Sequence, residues 1–319
     1  MENKNPPASP AERNPFGYNY RSPEKPRIRK LGTICCDMVE TTPVVFGGEL
    51  YRFEYVRPAE LNEKNKSGRS YFHFVNVRTS APTAPFAENY HLGSAFADGD
   101  TMYVAGIPCE WGKGEVHIFR SKDLSDWTCI SKIVLPDGLR AFNTGICKKD
   151  GRYILLVEVD KPRCFTFRFA VSDDLTDWEF LPDSCRLHKD GRYAGGPAIY
   201  TLPDDPYYYV LYLEANPGDR YATAIARSRD LSEWTYSPIN PVLMYSEEDK
   251  LIANPFLTPH EQERIRRALD INNSDLELCE FNGRTILYYS WGNQHGIEFL
   301  AEAAFEGTMK EFLQSFFDN

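Results

Sequence analysis

The sequence has no apolar run approaching the roughly 20 residues that a membrane-spanning helix needs, and its N-terminus has no hydrophobic signal core. As given, the chain therefore reads as cytoplasmic, with no membrane among its expected partners. It also has no Cys-x-x-Cys pair. Of the eight cysteines, Cys35 and Cys36 are adjacent, and others such as Cys147 and Cys279 sit singly in apolar runs. That spacing predicts buried free thiols and argues against a zinc site. Positive charge is scarce as well: 36 Lys and Arg face 46 Asp and Glu, a formal net charge of −10. Nucleic acid is accordingly not an expected partner. Nucleotide and hydrolase signatures are missing too, since no GxGxxG follows a strand and there is no P-loop, HExxH or GxSxG.

What the sequence does have is aromatic residues and repetition. With 42% hydrophobic residues, including 19 Tyr and 20 Phe, it can fill a sizeable core. One heptapeptide occurs three times: Ser121-Lys122-Asp123-Leu124-Ser125-Asp126-Trp127, Ser172 to Trp178, and Ser228 to Trp234, with the serines 51 and 56 residues apart. Each copy follows a short β-like run, and a Ser/Asp/Leu turn closed by Trp suits the last hairpin of a small sheet. A unit of about 50 residues is the period of a propeller blade.

A second repeat locates the blades. Five segments have the form short strand, turn, aromatic-rich strand: Glu40 to Arg57, His91 to Glu110, Asn143 to Asp160, Tyr193 to Asn216, and Asp275 to Asn293. They align on turn residues Gly48, Gly99, Gly151 and Gly283, with Asp204-Asp205-Pro206 replacing the glycine in the fourth. The expected fold is all-β, a five-bladed β-propeller over residues 31–319. Residues 1–30, with six prolines, read as an extended arm whose Phe16, Tyr18 and Tyr20 could serve a homodimer. Between blades four and five, Thr258 as N-cap and Pro259 predict a short helical insertion, and residues 307–317 predict an amphipathic C-terminal helix.

Eight positions before the turn glycine stand Glu40, His91, Asn143 and Asp275, all polar; blade four offers Arg192, Tyr193 or Gly195-Gly196. These begin the innermost strands, which converge at one mouth of a propeller's channel. The antiparallel return strands end at the same mouth with Glu110, Glu158 and Asp160, Glu214 and Asn216, and Trp291, Asn293 and His295. Glu40, Asp275, Glu214 and Glu158 are thus candidate pocket carboxylates, with Asp37 an alternative to Glu40. His91 and His295 could bind a ligand hydroxyl or move a proton. Tyr193 and Trp291 could stack on the apolar face of a ligand, and Arg220 could meet an anionic group.

On these strand–turn–strand segments and Ser-x-Asp-Leu-x-x-Trp hairpins, residues 33–305 resemble the five-bladed propeller glycoside hydrolases of families 43, 32 and 117. The resemblance implies cleavage of a glycosidic bond in a small oligosaccharide, exo-acting where the insertion narrows the mouth. Such cleavage needs one carboxylic acid to protonate the leaving oxygen and a second carboxylate as base or nucleophile, roles implied for Glu40, Asp275 and Glu214: Glu40 is preferred over Asp37 as the base, Glu214 is a candidate acid, and His295 is an alternative acid. No cofactor is expected, although the channel of such a fold has room for a structural divalent cation. The sequence departs from family 43 in having Thr42-Pro43 where that family has Asp-Pro. A glycoside phosphorylase or transferase and a non-catalytic carbohydrate-binding propeller are the alternative readings, the first short of basic residues for phosphate and the second at odds with so many acids.

Overall fold

A computed structural model of the 319-residue chain describes residues 25–108, 113–161, 165–187, 191–218 and 220–317. Most of the Pro-rich arm and Glu110 lie outside the described residues. Within them, three- and four-stranded antiparallel sheets follow one another around a central channel. Blade one is β2 (Thr41–Phe46), β3 (Glu49–Val56) and β4 (Tyr71–Asn76), preceded in the chain by β1 (Arg29–Cys36). Blade two is β5 (Tyr90–Asp98), β6 (Thr101–Pro108), β7 (Glu115–Ser121) and β8 (Thr128–Val134). Blade three is β9 (Ala141–Lys149), β10 (Arg152–Val159), β11 (Thr166–Ser172) and β12 (Glu179–Phe180). Blade four is β13 (Ala194–Thr201), β14 (Tyr208–Asn216) and β15 (Arg220–Ser228), with β16 (Thr235–Tyr236) and β17 (Leu243–Met244) both along the edge of β15. Blade five is β18 (Asn272–Phe281), β19 (Arg284–Gly292) and β20 (Glu298–Phe305), and β1 completes it by pairing antiparallel with β20.

The fold is a five-bladed β-propeller. Its ring closes because the first strand completes the last blade, leaving fewer unpaired sheet edges. Inner strands β2, β5, β9, β13 and β18 each neighbour the next around the channel, and β18 neighbours β2.

The repeated heptapeptide forms the outer turns. Ser121 Oγ accepts from the N–H groups of Asp123 and Leu124 at 3.2 and 2.9 Å, and Asp123 Oδ1 accepts from Ser125 and Asp126 N–H. The same bonds recur at Ser172 and Asp174 and at Ser228 and Asp230. The leucines are buried, but the tryptophans are only half-buried and lie between blades. Trp127 of blade two stacks on Phe86 beside blade one at 3.9 Å, and Trp234 of blade four on Phe169 of blade three at 5.6 Å. Each turn is therefore also an inter-blade joint.

The insertion carries α1 (Pro259–Arg267), capped by Thr258, whose hydroxyl accepts from Glu261 N–H. Beside it, Lys30 of β1 is buried and bonds Asp249 Oδ2 and Asn273 Oδ1 at 2.8 Å each, which ties strand, insertion and blade five together. The chain ends on α2 (Met309–Gln314), which buries Phe312 and Leu313. The thiols are less uniformly buried than expected: Cys36 and Cys147 are, whereas Cys35, Cys185 and Cys279 are half-buried and Cys129 is exposed. Among the described residues no helix is long and apolar enough to cross a membrane.

Candidate active site

At one end of the channel four inner strands share a backbone kink. Glu40, Leu92, Gly196 and Asp275 have φ of 48°, 50°, 51° and 49°. In blades two, four and five the kink sits in a β-bulge, after His91, Gly195 and Ser274 respectively, while Glu40 directly precedes β2. Blade three has a bulge too, with Phe142 and Asn143 facing Glu158, but not the positive φ. Bulges re-aim side chains, and these aim theirs at a shared cavity of about 400 Å³. Glu40, Asp275, Glu158, Glu298, Arg57, Asn143, Tyr55, Tyr193 and Gln294 line it, with Phe142, Phe165, Leu92 and Leu213 as apolar walls.

The Gly195-Gly196 pair lets these groups meet. A Cβ on Gly196 would lie 2.0 Å from Asp275 Oδ1; one on Gly195 would lie 2.8 Å from the Tyr193 hydroxyl and 3.1 Å from Glu158 Oε1. Gly196 N–H also donates to Glu158 Oε2 at 3.0 Å, and Asn143 Nδ2 donates to the same oxygen at 2.9 Å. Ser274 Oγ donates to Asp275 Oδ2 at 2.9 Å.

Four carboxyls line this space, Glu40, Asp275, Glu158 and the Arg57-paired Glu298, and so enclosed they cannot all ionise freely. Burial lifts Glu40 well above the usual carboxylate range, and the neighbouring charge of Asp275 lifts it further against the pull of Arg57. Burial pushes Glu158 up to about 7, opposed by the bonds from Asn143 and Gly196. Burial raises Asp275 too, but the Ser274 hydroxyl restrains it to about 6. The site therefore sets Asp275, near 6, beside Glu40, which burial biases further toward its protonated form. Arg57, whose Nη1 donates to Glu298 Oε2 at 2.6 Å, supplies the one cation among the described lining residues.

Of the residues picked from sequence, Glu40, Asp275, Glu158, Asn143 and Tyr193 meet here. The others lie elsewhere. His91 precedes the kink, so it points away and its Nδ1 bonds the Tyr55 hydroxyl at 2.8 Å, supporting a lining residue from behind. Glu214 is not among the cavity's lining residues and pairs with Arg192 at 2.6 Å. Asp37 accepts both ends of the Arg264 guanidinium of α1, at 2.9 and 2.5 Å. Arg220, at the exposed start of β15, stacks over the Tyr245 ring. His295 is exposed, between Gln294 and Gly296 that do line the cavity. Trp291 cannot stack on a sugar: it is fully buried, packs on Phe299 at 4.5 Å, and donates from Nε1 to Thr33 Oγ1 at 2.8 Å. Arg57, Glu298 and Gln294 escaped sequence reasoning; Arg57, at the end of the blade-one segment, had the positional signal.

The chain superposes on Bacteroides ovatus xyloglucan PUL GH43B with TM-score 0.53 and 15% identity, covering 89% of this chain and 54% of that one. It superposes on the α-L-arabinofuranosidase Arb93A of Fusarium graminearum with TM-score 0.57 and 12% identity, covering 88% and 98%. For the catalytic domain of a Coprinopsis cinerea GH62 α-L-arabinofuranosidase the values are 0.61, 8%, 89% and 98%. The fold is that of the five-bladed propeller glycoside hydrolases. The chain spans about half the length of the first of these and nearly all of the other two. No protein-family model and no curated protein sequence matches it.

A divalent cation in the channel would need several hard donors at one point. Among the described residues no group of three or more His, Cys, Asp or Glu has that arrangement. Buried carboxyls raised to different extents beside a cation are suited to proton transfer at a bond held between them.

Proposed function

We propose that the protein is a glycoside hydrolase that removes a terminal sugar from a small oligosaccharide, with Asp275 and Glu40 as its reacting carboxylates. The observation that carries this reading is their juxtaposition in one cavity at the propeller mouth, where burial lifts Glu40 well above the carboxylate range and Asp275 to about 6. Asp275, ionised, acts as base or nucleophile at the anomeric centre; Glu40 gives its proton to the leaving oxygen. Glu158, held by Asn143 and Gly196, sets the local charge and is close enough to neutrality to exchange a proton during turnover. Tyr193 and Phe142 offer aromatic surface for the apolar face of the sugar, and Arg57 offsets part of the carboxylate charge. A cavity of about 400 Å³ suits one or two sugar rings better than a polymer running through, which supports exo-action.

The test is release of monosaccharide from a panel of aryl furanosides, aryl pyranosides and plant and algal oligosaccharides. Wild type should release one sugar. Asp275→Asn and Glu40→Gln should each lower kcat by roughly 10²–10⁴-fold while keeping the fold by circular dichroism. Sugar binding by calorimetry without release from any substrate would sink the enzymatic reading in favour of a binding propeller.

A further inference from the structure

Two oxygens at the floor of the pocket have no hydrogen-bond partner in the protein although both are buried: Oε2 of Glu40 and Oδ1 of Asn143. Both residues line one small cavity of about 10 Å³, together with Asp275, Thr144 and Glu277. That volume is close to the least that holds a single water, and a water needs two to four polar partners.

Glu277 is the unexplained member of this set. It follows the kinked Asp275 by two residues, so it faces the channel one layer deeper, level with Thr42, Ser94, Thr144 and Ala198 of the other blades. Below it the channel widens into a second cavity of about 370 Å³, running toward the turn ends of the inner strands at Val45, Ala97 and Glu280. Glu277 is the one described residue that lines both cavities, and it stands as the plug between them.

Its bonding leaves one direction open. Thr42 Oγ1 accepts from Ala95 N–H at 3.2 Å, so the Thr42 proton is free for its bond to Glu277. With that oxygen of Glu277 occupied as an acceptor, the rest of the carboxyl is available to the small cavity. The ionisable groups facing it are Asp275 and Glu40 from the pocket side and Tyr200 from β13, whose hydroxyl accepts from Leu278 N–H at 2.9 Å. From β5 and β9 the two cavities it lines also take the hydroxyls of Ser94 and Thr144, themselves 3.0 Å apart, and the Cys147 thiol. Burial, with Asp275 adding to it against the Thr42 bond, pushes Glu277 to about 8, so it carries a proton at neutral pH.

We propose that Glu277 is a positioning residue for the pocket carboxylates, acting through one water in the small cavity it shares with Glu40 and Asn143. The water accepts from the Glu277 carboxyl and donates to Glu40 Oε2 and Asn143 Oδ1, the two oxygens that otherwise lack donors. With Oε2 engaged as an acceptor, Glu40 keeps its own proton on Oε1, the oxygen left to the pocket. Asn143 is held with its amide N–H on Glu158. The use made of the Glu40 proton rests on the proposed hydrolase reading; the arrangement itself does not.

The experiment is a ¹³C NMR titration of protein labelled at Glu Cδ and Asp Cγ, for wild type, Glu277→Gln and Glu277→Leu. Wild type should show a Glu carboxyl titrating near 8 that is missing in both variants, and an Asp275 curve with a second inflection at the same pH that both variants lose. Turnover of whichever aryl glycoside is cleaved should fall in the order wild type, Gln, Leu. Leu strands two buried oxygens and should cost roughly ten- to a hundredfold in kcat, with KM moving far less. An Asp275 titration identical in wild type and Glu277→Gln would overturn the proposal, as would wild-type kcat in Glu277→Leu. If Leu does not fold, the Gln titration still decides. If no glycoside is cleaved at all, the hydrolase reading fails while the titration answers for Glu277 separately.

Discussion

Replacing Gly196 by alanine tests whether the carboxylates work as one unit. Two costs add. A non-glycine residue at φ 51° carries a backbone penalty of about 1–2 kcal/mol. The new Cβ would lie 2.0 Å from Asp275 Oδ1 and 3.1 Å from its Cγ, so the carboxylate must retreat by more than 1 Å to reach ordinary contact. Ser274 holds its other oxygen at 2.9 Å, which limits how the side chain can turn away. Displacement of a reacting group by about 1 Å costs on the order of 10²-fold in rate. Gly196→Ala should therefore lower kcat by about 10²-fold while lowering Tm by only a few degrees. Gly195→Ala meets the movable ends of Tyr193 and Glu158 and should lose about tenfold or less. The decisive assay is a double-mutant cycle. In an Asp275→Asn background the alanine should add little further loss, because the group it displaces has already been disabled. Full additivity, or wild-type turnover in Gly196→Ala alone, would refute the claim that Gly196 exists to seat Asp275.

Three further outcomes follow from the same structure. Activity should rise with pH as Asp275 ionises around 6 and fall again above 7 as the protonated partners are lost; a profile flat from pH 5 to 9, in kcat/KM against pH, would remove these groups from the chemistry. Stability should move with the same protons. Glu158 is raised in the folded state to about 7 from roughly 4.3 unfolded, so its contribution is fully present below the unfolded value and lost as pH climbs toward 7. That loss is about 4 kcal/mol at most, and Glu158→Gln should flatten it in urea melts at pH 4 and pH 7.5. Trp127→Ala breaks the blade-one to blade-two stack with Phe86 and should cost about 2–3 kcal/mol, less than a fully buried tryptophan because Trp127 is half-exposed; thermal melts that do not shift would show the joint to be dispensable.

The blades were legible because their signals are local. A serine hydroxyl taking two N–H bonds, an aspartate taking two more and a leucine at positive φ need only seven consecutive residues, and the chain repeats them three times. Closure was not legible in that way. The pairing of β1 with β20 joins Arg29 to Ala304 across almost the whole sequence, and two register shifts blur its alternation. At the site, hairpin length decided success. Glu40 and Asp275 stand eight residues before their turn glycines, whereas the kinked Leu92 stands seven before Gly99. Counting eight therefore selected His91, and one residue along a strand is the opposite face. Glu214 stands at a return-strand end and Asp37 just upstream of Glu40, but each is drawn into an ion pair; their partners, Arg192 and Arg264, sit 22 and 227 residues away, and only folding brings the second to hand. Trp291 looked like a sugar platform from its strand-end position, but Thr33 of β1 takes its indole N–H into the core.

The four kinks suggest how such a site comes to exist on this fold. Positive φ at a non-glycine residue ordinarily points to strain stored for function, yet here Leu92 adopts the same φ as Glu40 and Asp275 while forming only an apolar wall. The strain therefore belongs to the way an inner strand enters the channel and is incurred blade by blade, whatever side chain is present. What varies is the residue placed on each kink. Two blades carry carboxylates there, a third carries the glycine that makes room for one of them, and a fourth carries the leucine that walls the cavity. Blade three, which lacks the kink, contributes through its neighbours instead, with Asn143 reaching Glu158 at 2.9 Å. Fold and chemistry are thus separable. Leu92→Asp should be tolerated by the backbone more readily than a carboxylate at an unkinked channel position, since asparagine and aspartate accept positive φ better than leucine does. It would also bring a fifth acid to the mouth and push the Glu40 and Asp275 carboxyls further upward, moving both limbs of the pH–activity profile to higher pH.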